Sequence, residues 1–427
     1  MRNTNISLVK KHISQLKRSP TLAINEKSAK LQIKGKEVYR LGFGQSPFPV
    51  PEEVVSSLKL HANEKDYLPV MGLPVLRQAI SDWINERTGG SYTSDHIMVS
   101  PGSKELLFLT QMAFAGDLIL LSPSWVSYEP QAEMCHQKVH TIMTHEKDGY
   151  LLQPADFDNF CKTSSSGQKI LLLNYPGNPT GITYQEGDLK EIAEIAKRNN
   201  IIVLSDEIYG EVHHSGNHVS IAKYHPEGTI ISTGLSKWCG AGGWRLGAFV
   251  FPDTLFQLRD AMATMASETY TSASAPIQFA AVQAFVGSAD INAYVQYSRR
   301  ILSHIGNYMH QSLSGMGVTT PAPQGGFYLF VNFERFRSNI ENRNIFNSAA
   351  LCDSLLGDIG VALLPGVDFG RPPEELTARL SYVDFNGGKA IDSLKKGKVL
   401  DDQWLVDYIP RMVKAMKLLQ GWLDTKL

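Results

Sequence analysis

Residues 169–210 read KILLLNYPGNPTGITYQEGDLKEIAEIAKRNNIIVLSDEIYG, and this stretch decides the fold. Lys169–Leu173 is a short, nearly continuous apolar run, of the kind buried on both faces of a sheet. From Asn174 to Gly181 two prolines and two glycines break the run, so this segment is a loop. Between Glu186 and Asn200, Leu189, Ile192, Ala193 and Ala196 recur on one face of a helix. Ile201–Leu204 is a second buried strand. A buried strand, a helix and another buried strand form the repeat of a parallel sheet covered by helices.

The same alternation continues on both sides. Ile97–Val99, Leu118–Leu121 and Val139–Met143 read as strands, with a helix over Lys104–Ala115. Thr229–Ser232 and Leu246–Phe251 extend the series. Residues 300–427 differ, because helical stretches there surround extended pieces at Gly326–Phe330 and Arg379–Val383. The expectation is an α/β chain with a large domain over residues 63–300, its mostly parallel sheet flanked by helices. Residues 1–62 and 301–427 then supply an N-terminal arm and a smaller α+β domain. In such sheets chemistry gathers beyond the carboxyl ends of the strands. Asn178, Asp206 and Lys237 each follow closely on a predicted strand.

Bulk properties exclude several classes of function. Lys and Arg (41) balance Asp and Glu (42), so no global field draws in nucleic acid or an anionic membrane. No apolar run approaches the roughly 20 residues that span a bilayer. The four cysteines are scattered without a CxxC pair, which argues against disulfides and structural zinc and for a reducing compartment, the cytoplasm. The first 18 residues are polar and basic and read as a solvated helix or arm. His213 and His214 lie in a polar loop with no third ligand at metal spacing, so they read as surface residues and no metal site is expected. The chain has no GxxxxGK[ST] loop, no complete dinucleotide fingerprint and no GxSxG elbow.

The informative segment is Gly234-Leu-Ser-Lys237-Trp-Cys-Gly-Ala-Gly-Gly-Trp-Arg245-Leu-Gly247. Small residues flank a lysine, and an arginine follows eight positions later. A lysine that attacks an aldehyde must first lose its proton, against a free pKa of about 10.4. Crowding, partial desolvation and nearby cations lower that value. Arg245 supplies a planar fork of donors suited to a phosphate.

This segment closely resembles the lysine motif of the class I and II aminotransferases, fold type I enzymes dependent on pyridoxal 5′-phosphate. The resemblance runs from about Ser19 to the C-terminus and implies a transaminase that moves an amino group from an L-amino acid to a 2-oxo acid. Lys237 is then the residue that carries the cofactor as an imine and shuttles the proton. Asp206 pairs with the pyridine nitrogen, keeping the ring an electron sink, while Tyr209 and Asn178 bond its phenolic oxygen. Pro101-Gly102-Ser103-Lys104 resembles the phosphate-cradling turn at a helix N-terminus, with Ser236 and Arg245 adding to it. Trp125 stacks on the ring.

On the substrate side, Arg379 resembles the arginine that grips the α-carboxylate through two parallel bonds. Gly44 resembles the N-terminal segment closing over the substrate, where Trp125 and Asn178 also take part. Tyr67 resembles the tyrosine that reaches the neighbouring subunit's phosphate, which implies a homodimer with shared active sites. Many family members carry a serine three residues before the lysine, where this chain has Gly234. β- or γ-elimination, decarboxylation and ring closure reuse the same lysine, aspartate and arginine, so these reactions remain as alternatives to transamination. The amino donor stays open.

Overall fold

Five of the seven strands of the larger sheet are parallel neighbours in the computed structural model, which describes residues 8–16 and 18–425. In chain order the strands are β1 (Ile97–Ser100), β2 (Asp117–Ser122), β3 (Val139–Met143), β4 (Lys169–Asn174), β5 (Ile201–Asp206), β6 (Thr229–Gly234) and β7 (Gly247–Val250). Their spatial order is β1-β7-β6-β5-β4-β2-β3. Strands β3, β2, β4, β5 and β6 are mutually parallel, and β7 lies antiparallel between β6 and β1. The apolar runs of β4 and β6 are buried along almost their whole length, as helices cover both faces.

The register of these strands aligns polar residues. Asn174 pairs with Asp206, and Asp206 pairs with Ser232. Three polar residues therefore line up in one row at the carboxyl ends of three adjacent strands. Polar side chains this deep need partners, and the row supplies them to one another.

A second sheet of three antiparallel strands has the order β8 (Tyr328–Asn332), β10 (Thr377–Ser381), β9 (Leu364–Pro365). The expected extended pieces at Gly326–Phe330 and Arg379–Val383 are present but shifted by two residues in opposite directions. Gly326 adopts φ +64°, a turn conformation, so β8 starts only after it. Arg379 sits on the middle strand, opposite Phe330 and Leu364. The helix Ala289–Met316 packs against the turn Gly210–Val212 beside the larger sheet and against β8 of the smaller one. Ser288 caps its start by accepting from the Ile291 N–H at 3.1 Å.

The basic N-terminal stretch is expected to be a solvated helix or arm; residues 1–7 and 17 of it lie outside the described residues. Within it, Lys11–Ser14 forms a single helical turn with no buried residue. The reading of His213 and His214 as surface residues is corrected. His213 is buried and His214 half-buried, because residues 324–326 cover the loop: His214 N–H donates to Gln324 O at 2.8 Å. Burial lowers both imidazoles to about 4. Among the described residues, no helix is long and apolar enough to cross a membrane.

Candidate active site

The loop that leaves β6 carries Lys237. It is closed by a Leu235 N–H to Leu246 O bond at 3.2 Å and an Ala241 N–H to Leu235 O bond at 3.1 Å. Lys237 Nζ points inward and donates to Gly44 O at 2.6 Å. The rings of Tyr209 and Phe327 stand 5.3 and 5.7 Å from it. Burial brings its pKa down to about 7, the Arg379 charge adds to the fall, and Asp206 opposes it.

Asp206 ends β5 and is buried. Tyr128 Oη donates to its Oδ2 at 2.7 Å and Ser232 Oγ to its Oδ1 at 3.0 Å. Burial raises its carboxyl pKa, against the two hydroxyl donors, the Ile208 N–H and the charge of Lys237. Asn174 braces the same strand end: its Nδ2 donates to Asp206 O at 2.8 Å and its Oδ1 accepts from Asn178 N–H at 2.8 Å. The loop carrying Asn178 is thus tied to the strand carrying Asp206.

Arg379 is buried, and the Asp368 carboxylate acts on its charge. Nη1 donates to Asn178 Oδ1 at 3.0 Å and Nη2 to Gly42 O at 2.8 Å, while Nε has no partner. Its guanidinium lies 4.6 Å from the Tyr328 ring centre and 5.2 Å from that of Phe369. Tyr328 and Tyr209 share a hydroxyl contact of 2.8 Å, and burial holds the Tyr209 phenol far above its ordinary range.

At the opposite end the helix Ser103–Ala113 starts without a side-chain cap, after Gly102 at φ +92°. A Cβ on Gly102 would lie 2.3 Å from Arg245 Nη2, so only glycine lets that guanidinium rest against the helix start. Free N–H groups and a cation there form an anion-binding corner. Gly234 has a structural reason of its own. It pairs with Gly247, and a Cβ on it would come within 2.8 Å of Leu246 O.

These groups surround one cavity of about 450 Å³. Of the residues singled out from sequence, Gly44, Ser103, Lys104, Trp125, Asn178, Asp206, Tyr209, Ser236, Lys237 and Arg245 line it. Gly102 lies under Arg245, and Arg379 joins through Asn178. Tyr67 is not part of the cavity and is 89% exposed. Sequence reasoning missed Tyr128, Asn174, Ser232 and Tyr328. Tyr128 lies three residues after Trp125, and that spacing was the available signal.

The sequence model of the family described as aminotransferase class I and II matches residues 36–384. An aspartate aminotransferase of Pinus pinaster is 33% identical over 387 residues, covering 87% of this chain and 76% of its own. An aspartate aminotransferase of Geobacillus stearothermophilus is 30% identical over 382 residues, covering 87% and 93%. The solved structure of the Thermus thermophilus aspartate aminotransferase with maleate superposes with a TM-score of 0.84 at 25% identity, covering 98% of this chain and all of that one.

Proposed function

Because the chain belongs to the class I and II aminotransferases, which depend on pyridoxal 5′-phosphate, we propose that Lys237 attaches the cofactor and that the amino donor is an acidic L-amino acid. The observation that carries the first half is the Lys237 amine, lowered to about 7 inside a cavity of about 450 Å³.

The residues present fit the cofactor. The anion-binding corner of Gly102, Ser103, Ser236 and Arg245 suits its phosphate, and a Cβ at Gly102 would spoil that corner. Asp206, with one hydroxyl donor on each oxygen, keeps lone pairs for the ring nitrogen. Asn178 and Tyr209 suit the phenolic oxygen, and Trp125 a ring face. When bound, the cofactor supplies an electron sink that acidifies the Cα–H bond of an amino acid.

The chain's own groups do the rest. Arg379, with Nε unpartnered and its two Nη atoms donating to an amide and a carbonyl, takes the α-carboxylate. Lys237 Nζ leaves Gly44 O and accepts the Cα proton, a task suited to an amine whose pKa lies near 7. Tyr209, kept protonated, acts as a donor.

For a second substrate carboxylate the remaining cavity-lining cations are Lys104 and Arg245. Arg245 donates to Gly242 O at 3.0 Å beside Gly102, which commits it to the anion corner. Lys104 forms no ion pair among the described residues, and its Nζ stands 5.2 Å from the Trp125 ring centre. It therefore reads the acidic side chain, in line with the names of the relatives.

A panel of amino donors with 2-oxoglutarate tests this reading. Aspartate should turn over faster than alanine, and Lys104→Met should cut kcat/KM for aspartate by roughly tenfold or more while leaving alanine within about twofold. Equal losses for both donors would return Lys104 to the cofactor. Release of ammonia and a 2-oxo acid from the donor alone, with no 2-oxo acid co-substrate added, would instead identify an elimination enzyme.

We also propose a homodimer that shares its sites through Tyr67. Tyr67 is 89% exposed, and Leu60, Val75 and Val286, on three helices packed together, are exposed as well. We keep residues 63–300 as the cofactor domain, residues 1–62 with 301–427 as arm and small domain, and the cytoplasm as the location. All four cysteines being free is consistent with that location.

A further inference from the structure

Arg371 stands outside the cavity, in the loop that precedes β10, and only 8% of it is exposed. Its Nε and Nη2 donate to the two oxygens of Glu375 at 2.8 and 2.7 Å. Its Nη1 donates to Ser122 O at 3.0 Å and to Thr144 O at 2.9 Å. Glu375 belongs to the same loop, whereas Ser122 ends β2 and Thr144 directly follows β3. One guanidinium thus clips a loop of the three-stranded sheet to the carboxyl ends of two parallel strands of the other sheet.

Two more bonds run along the same seam. Ser122 Oγ donates to Gly370 O at 2.7 Å, and Ser124 N–H donates to Phe369 O at 3.0 Å. The next residue along the strand end is Trp125, which lines the cavity. On the far side of the loop, the Phe369 ring lies 5.2 Å from the Arg379 guanidinium. The loop is therefore wedged between the aromatic wall of the cavity and its buried arginine.

A buried ion pair is a poor way to gain stability, since apolar residues of similar volume often do as well or better. What it offers is direction. A planar fork with one face on a carboxylate and one nitrogen on two strand-end carbonyls has a single fit. A hydrophobic plug would let the loop slide, and Phe369 would shift against the Arg379 guanidinium.

We propose that Arg371 is a positioning residue for substrate binding. It fixes the Gly366–Arg371 loop against the Trp125 strand end and so sets where Arg379 presents its guanidinium to the cavity. This rests on the reading of Arg379 as the partner of the substrate α-carboxylate.

The test uses the cofactor-loaded protein, titrated with maleate as a dicarboxylate that cannot react, and follows the cofactor's absorbance. Arg371→Met should weaken maleate binding about tenfold, as misplacing a charge-assisted contact does. Arg371→Lys, which keeps the charge and loses the fork, should fall between that variant and the wild type. Cofactor retention should stay unchanged in both, because Arg371 does not touch the cavity. A lowered melting temperature with maleate binding within twofold of wild type in Arg371→Lys would make the residue merely structural and overturn the proposal, even where Arg371→Met fails to fold. Arg379→Lys separates the two readings. Wild-type maleate binding in that variant overturns the role of Arg379 itself, and lost binding there with intact binding in the Arg371 variants overturns the latch alone.

Discussion

Replacing Lys237 by Met should stabilise the cofactor-free protein, and the gain should shrink as pH rises. The folded chain holds this amine at about 7 against an ordinary 10.5, mainly through burial. Below pH 7 folding must bury the charged form, and at about 1.4 kcal/mol per pH unit the penalty is about 5 kcal/mol. Between pH 7 and 10.5 the unfolded chain binds the proton and the folded chain does not, so wild-type stability climbs with pH and the penalty is about 2 kcal/mol at pH 9. The bond to Gly44 O is lost in the variant, which lowers the gain by about 1 kcal/mol at either pH. For a chain of 427 residues the unfolding entropy is about 0.9 kcal/mol per degree, so the gain amounts to about 4 °C at pH 6 and about 1 °C at pH 9. Thermal unfolding of both cofactor-free proteins, followed by circular dichroism across this range, measures it. A variant less stable than wild type at pH 6, or a gap that does not change with pH, would refute the reasoning.

Two further substitutions probe the ends of the cavity. Gly102→Ala places a methyl 2.3 Å from Arg245 Nη2 at a backbone φ of +92°, so the cofactor should bind about tenfold more weakly by equilibrium dialysis while the fold survives. Tyr128→Phe removes one of the two hydroxyls holding Asp206 ionised and pushes its already raised carboxyl further up. Cofactor affinity should then drop most at low pH and recover as Asp206 ionises, and a deficit independent of pH would contradict this role.

Much of the fold and the site is legible locally. The strand Val139–Met143 matches its expected bounds to the residue, and the apolar runs of β4, β5 and β6 match within two, because these segments are short and bounded by turn residues. Lys237 and Arg245 announce themselves through a glycine-rich loop, of whose glycines Gly240 and Gly247 lie too close to other backbone for a side chain. What stays hidden depends on distant partners. Tyr128 is one aromatic at a helix start until Asp206, 78 positions away, meets its hydroxyl. Strand β9 has only two residues and exists through its pairing with Ala378 and Arg379. His213 and His214 look solvated because their sequence neighbours are polar, whereas the cover comes from residues 324–326. Arg371 carries no motif at all: Glu375 lies four residues away, but its other partners are backbone carbonyls at the ends of two strands far away in the chain.

The central claim is that Lys237 attaches the cofactor, and chemical trapping tests it most directly. The protein, loaded with pyridoxal 5′-phosphate, is reduced with borohydride, digested and read by mass spectrometry. The cofactor's mass should appear on the peptide containing Lys237, and its capture should rise with pH around the amine's midpoint of about 7. Label on Lys104 instead, or undiminished label in Lys237→Ala, would contradict the account.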